Sequence, residues 1–234
     1  MNRPQQSISY LPGLDGLRAI AVLAVVVYHA NKNWLHGGFL GVEVFFVISG
    51  YLITLLLLTE SEQYGRINFR AFWMRRARRL LPAMWTLLLG VTIYCSLFER
   101  EELGKLRGDV IAALIYVFNW FKIWAGDSYF DASALDPLRH LWSLAVEEQF
   151  YLIWPVLIAL VLKRYGRRPA KLGVIFLGIS VAIAMYVATT YAAGVRGTPI
   201  ETPEQYISLF GHAVSRLDFL FLGTIGRSGG LFLG

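Results

Sequence analysis

With 234 residues, 56% of them hydrophobic and only 16% charged, the chain falls short of the about 25% charge expected of a water-soluble domain. Its apolar residues gather in blocks of about 20, the length a helix needs to cross a bilayer, which excludes an ordinary soluble fold. The net charge of +6 does not indicate nucleic acid, because the basic residues concentrate in two short stretches, "RINFRAFWMRRARR" and "KRYGRRPAK", and Lys/Arg-rich loops between spans mark the cytoplasmic side of a membrane protein. A single cysteine, Cys95, rules out an intrachain disulfide framework and a cysteine-based metal cluster.

The expected fold class is all-α, a polytopic transmembrane helical bundle. Candidate spans run near residues 17–35, 39–58, 80–98, 109–125, 141–162, 172–192 and 206–225. The first lacks a small-x-small cleavage pattern and is followed at once by another apolar block, so it reads as a retained anchor.

Parity then singles out one segment. Residues 66–79 and 163–171 are both strongly basic and should share the cytoplasmic side, yet three candidate segments lie between them. The weakest is 109–125, "DVIAALIYVFNWFKIWA", which carries Asn119 and Lys122 flanked by Trp120 and Trp124. It is expected to enter from outside and return, or to lie along the outer surface. Six crossings plus this re-entrant segment put the N-terminus in the cytoplasm of a multi-pass inner (plasma) membrane protein. The loop 126–136, with Asp127, Asp131 and Asp136, then falls outside, and Arg227 returns to the cytoplasm.

Ionisable groups inside such segments are costly and point to a pathway or an active site. In "GLDGLRAIAVLAVVVYHANKNW", Asp15, Arg18 and His29 interrupt an apolar run. At ~100° and 1.5 Å per residue, Arg18 and His29 share one helix face and stand ~16 Å apart along the axis. A terminal Arg that snorkels and a packed His would give the same spacing.

In "RHLWSLAVEEQFYLIWP", Ser143, Glu147 and Tyr151 follow at i, i+4 and i+8, with His140 one turn earlier, so all four fall on one stripe. Glu147 could orient His29 or His140; a polar helix start with Glu148 and Gln149 facing water remains the alternative. In "FWMRRARRLLPAMW", Arg76 and Arg79 lie three apart, a spacing that suits bidentate phosphate binding or a lipid anchor.

Together these stretches resemble the acyltransferase-3 family of integral membrane acyltransferases. Arg18 and His29 match its first-span Arg and His, and "GGFLGVEVFFVISGYLIT" matches its Gly-Val-acidic-x-Phe-Phe-x-x-Ser-Gly-Tyr motif, with Glu43 where Asp is more usual. "RRARRLLPA" carries the Arg-x-x-Arg pair as Arg76 and Arg79. "HLWSLAVEEQFYLIWP" matches the Trp-Ser-Leu-x-Val-Glu-x-x-Phe-Tyr motif, and "SRLDFLFLG" is similar to a looser, later one.

The resemblance implies transfer of an acyl group, usually acetyl from acetyl-CoA, to a carbohydrate hydroxyl. Typical acceptors are lipopolysaccharide O-antigen, peptidoglycan, exopolysaccharide and some small molecules. It also implies a re-entrant loop after the third span and more spans than are counted here. Residues 1–234 are therefore expected to be a single acyltransferase domain, incomplete at the C-terminus, where the tail "GRSGGLFLG" stops inside an apolar run.

The scheme that fits places acetyl-CoA phosphates on Arg76 and Arg79, with Arg18 extending the cationic path or holding the thioester. His29 is the general base, or alternatively carries the acyl group. Glu147 orients the imidazole, while Ser143, Tyr151 or His140 contributes on the acceptor and oxyanion side. No metal and no tightly bound cofactor is required; acyl-CoA is a co-substrate, and the bilayer and a carbohydrate acceptor are the partners. A catalytically inactive truncated membrane protein and a small-solute transporter are the rival readings.

Overall fold

The computed structural model describes residues 11–130, 136–166, 169–194 and 197–234. Asp131 of the acidic loop, and Arg167 and Arg168 of the second basic stretch, lie outside the described residues. In chain order, helix α1 spans Pro12–Ala30, α2 Gly41–Tyr64 and α3 Phe69–Phe98. Two short helices follow, α4 (Leu103–Leu114) and α5 (Phe118–Ala125), and then α6 (Leu141–Tyr165) and α7 (Pro169–Thr190). Strands β1 (Tyr206–Leu209) and β2 (His212–Ser215) precede helices α8 (Arg216–Leu222) and α9 (Thr224–Leu233).

Among the described residues, five helices are long and apolar enough to cross a membrane: α1, α2, α3, α6 and α7. They account for the spans expected at 17–35, 39–58, 80–98, 141–162 and 172–192. The 30 residues of α3 rise ~45 Å against a hydrocarbon core of ~30 Å. The helix therefore has length to spare for its first turns, where Arg70, Arg75, Arg76, Arg78 and Arg79 stand.

The segment 109–125 does not form one crossing helix. It breaks at Tyr116, whose φ is +55°, into the 12-residue α4 and the 8-residue α5. At ~18 Å and ~12 Å, neither could span the hydrocarbon alone. Between the two basic stretches this leaves α3 and α6 as the long helices, the even number that parity requires.

The span expected at 206–225 is corrected. This stretch folds as an antiparallel hairpin, with Tyr206 opposite Ser215 and Leu209 opposite His212, and then enters the 7-residue α8. The cause is local. Phe210 and Gly211 both adopt positive φ, +50° and +80°, the geometry of a two-residue turn whose twist matches that of paired strands. Ser215 ends the hairpin and caps α8, its hydroxyl accepting the Asp218 N–H at 3.2 Å.

By packing, the chain divides into two compact units. One comprises Met1–Asn68, Phe150–Ala182 and Ser228–Gly234, the other Phe69–Gln149 and Ile183–Arg227. In the first, Phe46, Ile53 and Leu57 of α2, Trp154 and Ile158 of α6 and Leu231 of α9 are almost wholly buried. The Trp154 indole donates to Thr54 Oγ1 at 2.9 Å.

Lipid tails are as apolar as leucine, so helix association in a bilayer depends on close contact and hydrogen bonds rather than on escape from water. Small residues supply that contact here. A Cβ on Gly41 would collide with the Ala21 carbonyl oxygen of α1, and one on Gly50 with the Leu231 carbonyl oxygen of α9. Gly50→Val is accordingly expected to destabilise the chain by about 1–3 kcal/mol, as overpacking does, read as a lower thermal midpoint in detergent. An unchanged midpoint would show that α2 and α9 do not meet backbone to backbone.

Candidate functional site

Arg18 and His29 stand on one unbroken helix, α1, so their three-turn separation and shared face are kept. Arg18 pairs with Asp15 one turn earlier, N to O 3.6 Å, which accounts for the third polar residue of that run. His29 lies in the last turn, with Nδ1 2.8 Å from the Val25 carbonyl oxygen. A carbonyl oxygen only accepts, so Nδ1–H is the donor in this contact. The edge of the Tyr28 ring meets the imidazole, with centroids 5.3 Å apart.

In the other unit, Arg76 and Arg79 occupy adjacent turns of α3. The Arg76 guanidinium lies over the Phe72 ring, 5.6 Å from its centroid. Ser143 and Glu147 are one turn apart on α6, and Tyr151 follows at the next turn with its ring buried. His140 precedes the first residue of α6 and belongs to the turn leading into it. Its carbonyl accepts the Ser143 hydroxyl at 3.1 Å.

The alternative reading of this stripe, a polar helix start, has Glu148 and Gln149 facing water. The structure corrects both. Glu148 Oε1 is buried and has no hydrogen-bond partner, and the charge acting on this carboxylate from α3 is that of Arg76. The basic motif of α3 and the acidic start of α6 are thus brought within electrostatic reach of each other. A Glu-Glu pair inside an apolar run was the available signal, but periodicity favoured only the member on the Ser143–Tyr151 stripe.

Gln149 belongs to a buried amide network. Its Nε2 donates to the Tyr116 carbonyl at 2.7 Å and to Asn119 Oδ1 at 3.0 Å. The wholly buried Asn119 donates in turn to the Leu222 carbonyl at 3.0 Å and to Thr224 Oγ1 at 3.1 Å. Trp120 Nε1 reaches Gln149 Oε1 at 3.2 Å.

Three residues further along α5, Lys122 is almost fully buried among three carboxylates. Both oxygens of Asp109 lie at 2.9 and 3.0 Å, and one oxygen each of Asp127 and Asp136 at 3.2 Å. Arg139 Nε approaches Asp136 at 3.8 Å. Burial pushes the Asp109 carboxyl up, while Lys122 pulls it back and the neighbouring Asp136 and Asp127 raise it. Burial works against the Lys122 ammonium, yet the hydrogen bond it donates to Asp109 and the three negative charges together hold its pKa above the ordinary lysine value. Asp127 and Asp136, expected only as an acidic outer loop, are therefore the partners of the lysine that kept 109–125 from reading as a span.

Comparison with known proteins identifies the family of the chain. A family model described as an acyltransferase domain, Acyl_transf_3, matches residues 11–223. The chain belongs to this acyltransferase-3 family. It is 48% identical over 189 residues to the peptidoglycan O-acetyltransferase OatA of Listeria monocytogenes, an alignment covering 80% of this chain and 30% of that protein. It is 50% identical over 176 residues to a Staphylococcus aureus protein named "Putative O-acetyltransferase SACOL0978", covering 75% and 29%. The chain thus spans about 30% of the length of the curated relatives it matches. No solved structure matches it.

Proposed function

We propose that the chain is an O-acyltransferase that moves an acetyl group from acetyl-CoA, presented on the cytoplasmic side of the plasma membrane, to a hydroxyl of a cell-wall carbohydrate. The N-terminus lies in the cytoplasm. Peptidoglycan is the acceptor named for the Listeria relative, and it is the acceptor assigned here. The observation that carries the reading is that Arg18 and His29 stand on one face of one unbroken helix, with His29 Nδ1 held 2.8 Å from the Val25 carbonyl oxygen.

In the transfer, the acceptor oxygen attacks the thioester carbonyl while His29 Nε2 takes its proton. The C–O ester bond forms, the C–S bond breaks, and the imidazolium returns the proton to the departing CoA thiolate. On α6, Glu147 supplies negative charge and Ser143, Tyr151 or His140 supplies hydrogen-bond donors for the transfer. Arg76 and Arg79 hold the donor phosphates, and Arg18 continues the cationic path.

The test is acetyl-CoA binding to the purified chain in nanodiscs, beside Arg76→Ala/Arg79→Ala. Saturable binding by the native chain, weakened at least about 100-fold in the double variant, is expected, because two charge-assisted contacts contribute about 1.5–3 kcal/mol each. Equal binding by both proteins would remove the arginines from the donor site. No binding by a well-folded native chain would overturn the donor assignment.

A further inference from the structure

The residues that stop 109–125 from crossing bracket the polar stripe of α6. Lys122 grips Asp136, five residues before α6 begins, at 3.2 Å. Asn119 and the Tyr116 carbonyl grip Gln149, two residues beyond Glu147, at 3.0 and 2.7 Å. His140, Ser143 and Glu147 all lie between these two attachments. Both come from one short helix and its leading turn, and both are buried: Asn119 is wholly inaccessible, and the Lys122 side chain is 8% exposed.

An ion pair alone would tolerate rotation of α6, because an ammonium is a point charge with rotatable donors. The amide contacts fix direction as well as distance. They sit next to a residue held at positive φ, Tyr116, a backbone state that costs about 1–3 kcal/mol and persists where its surroundings impose it.

We infer that Asn119 and Lys122 are positioning residues, and that α5 is the template that sets the rotation and depth of the Ser143–Glu147 stripe, with His140 in the turn before it, for acyl transfer. The inference rests on the proposed function for its chemical meaning, but its geometry can be read without activity. Misplacing a reacting group by about 1 Å costs on the order of 10²-fold in rate, so loosening either attachment lowers turnover without touching the donor arginines of α3.

The experiment uses Asn119→Ala, Gln149→Ala, Lys122→Met and Lys122→Arg in the whole chain. The readouts are kcat with acetyl-CoA and a soluble peptidoglycan oligomer, and the Kd for acetyl-CoA. Each variant is also made in a Ser143→Cys background, in which maleimide labelling of residue 143 reports the exposure of the stripe; the native cysteine, Cys95, is fully buried.

For Asn119→Ala and Gln149→Ala, kcat per folded molecule is expected to fall on the order of 10²-fold at unchanged donor Kd, with altered labelling at residue 143. Lys122→Arg, which keeps the cation, should retain both kcat and the labelling rate that Lys122→Met loses. Variants that melt earlier but keep native kcat and native labelling would make α5 a merely structural support and overturn the inference. If the native chain transfers no acyl group, the proposed function fails, and the labelling rates alone decide whether α5 positions the stripe.

Discussion

Replacing His29 by alanine is expected to lower acetyl transfer by about 10²- to 10⁴-fold, the range that a positioned general base contributes, with acetyl-CoA binding unchanged. The size of the effect follows from the contact made by the ring. Nδ1–H donates to the Val25 carbonyl, 2.8 Å away in the same helix, which fixes the direction of the side chain. His29→Gln, which can still bond within the helix but has no basic nitrogen, should be as inactive as His29→Ala. Ester product measured by mass spectrometry from equal amounts of folded protein gives the comparison. Native rates in both variants would exclude the imidazole from the chemistry.

The second large effect is on stability. Lys122→Met is expected to destabilise the fold by about 3–5 kcal/mol, the cost of removing one partner from a buried ion pair. Asp109 and Asp136 would then face each other nearly buried, their side chains 7% and 12% exposed, whereas Asp127, half exposed, keeps its hydration and adds little. The double variant Lys122→Met/Asp109→Leu should recover part of the loss, since an apolar pair can replace a buried ionic one. Thermal midpoints in detergent would reveal the coupling, and strictly additive losses would show that the two groups act independently. The sign with pH follows from Lys122. Its folded pKa lies above the ordinary 10.5, so its stabilisation is fully present below that value and is lost only as pH rises through the folded pKa. The cluster therefore keeps this contribution through neutral pH.

The long helices α1, α2, α3, α6 and α7 were legible because length and hydropathy alone decide whether a segment can cross a bilayer. Asn119 and Lys122 also gave the correct warning that 109–125 differs, since polar groups at that depth need partners. Their partners were not legible. Asp109 sits on the preceding helix and Gln149 on the following one, and composition carries no information about which loop folds onto which helix.

The hairpin at 206–215 was missed for another reason. A short apolar run reads alike as helix or strand, and the deciding feature is the Phe210–Gly211 turn, in which Gly211 looks like one more small residue of a span. Glu148 escaped because a helical stripe selects one of two adjacent carboxylates, whereas burial and the Arg76 charge select the other.

The polar contacts of α5 differ in how far along the chain their partners lie. Asp109 and Asp127 lie 13 and 5 residues from Lys122, and closing such short loops takes well under a microsecond. The lysine can therefore be neutralised while ribosome and translocon still hold the nascent chain, before its charge has to be carried into an apolar setting. The bond from Asn119 to Thr224 bridges 105 residues and must wait until α7 and the hairpin have been synthesised. The contacts of α5 therefore become available in chain order, the ionic clasp first, the Asn119–Gln149 bond that holds the stripe once α6 has been made, and the bond to Thr224 last.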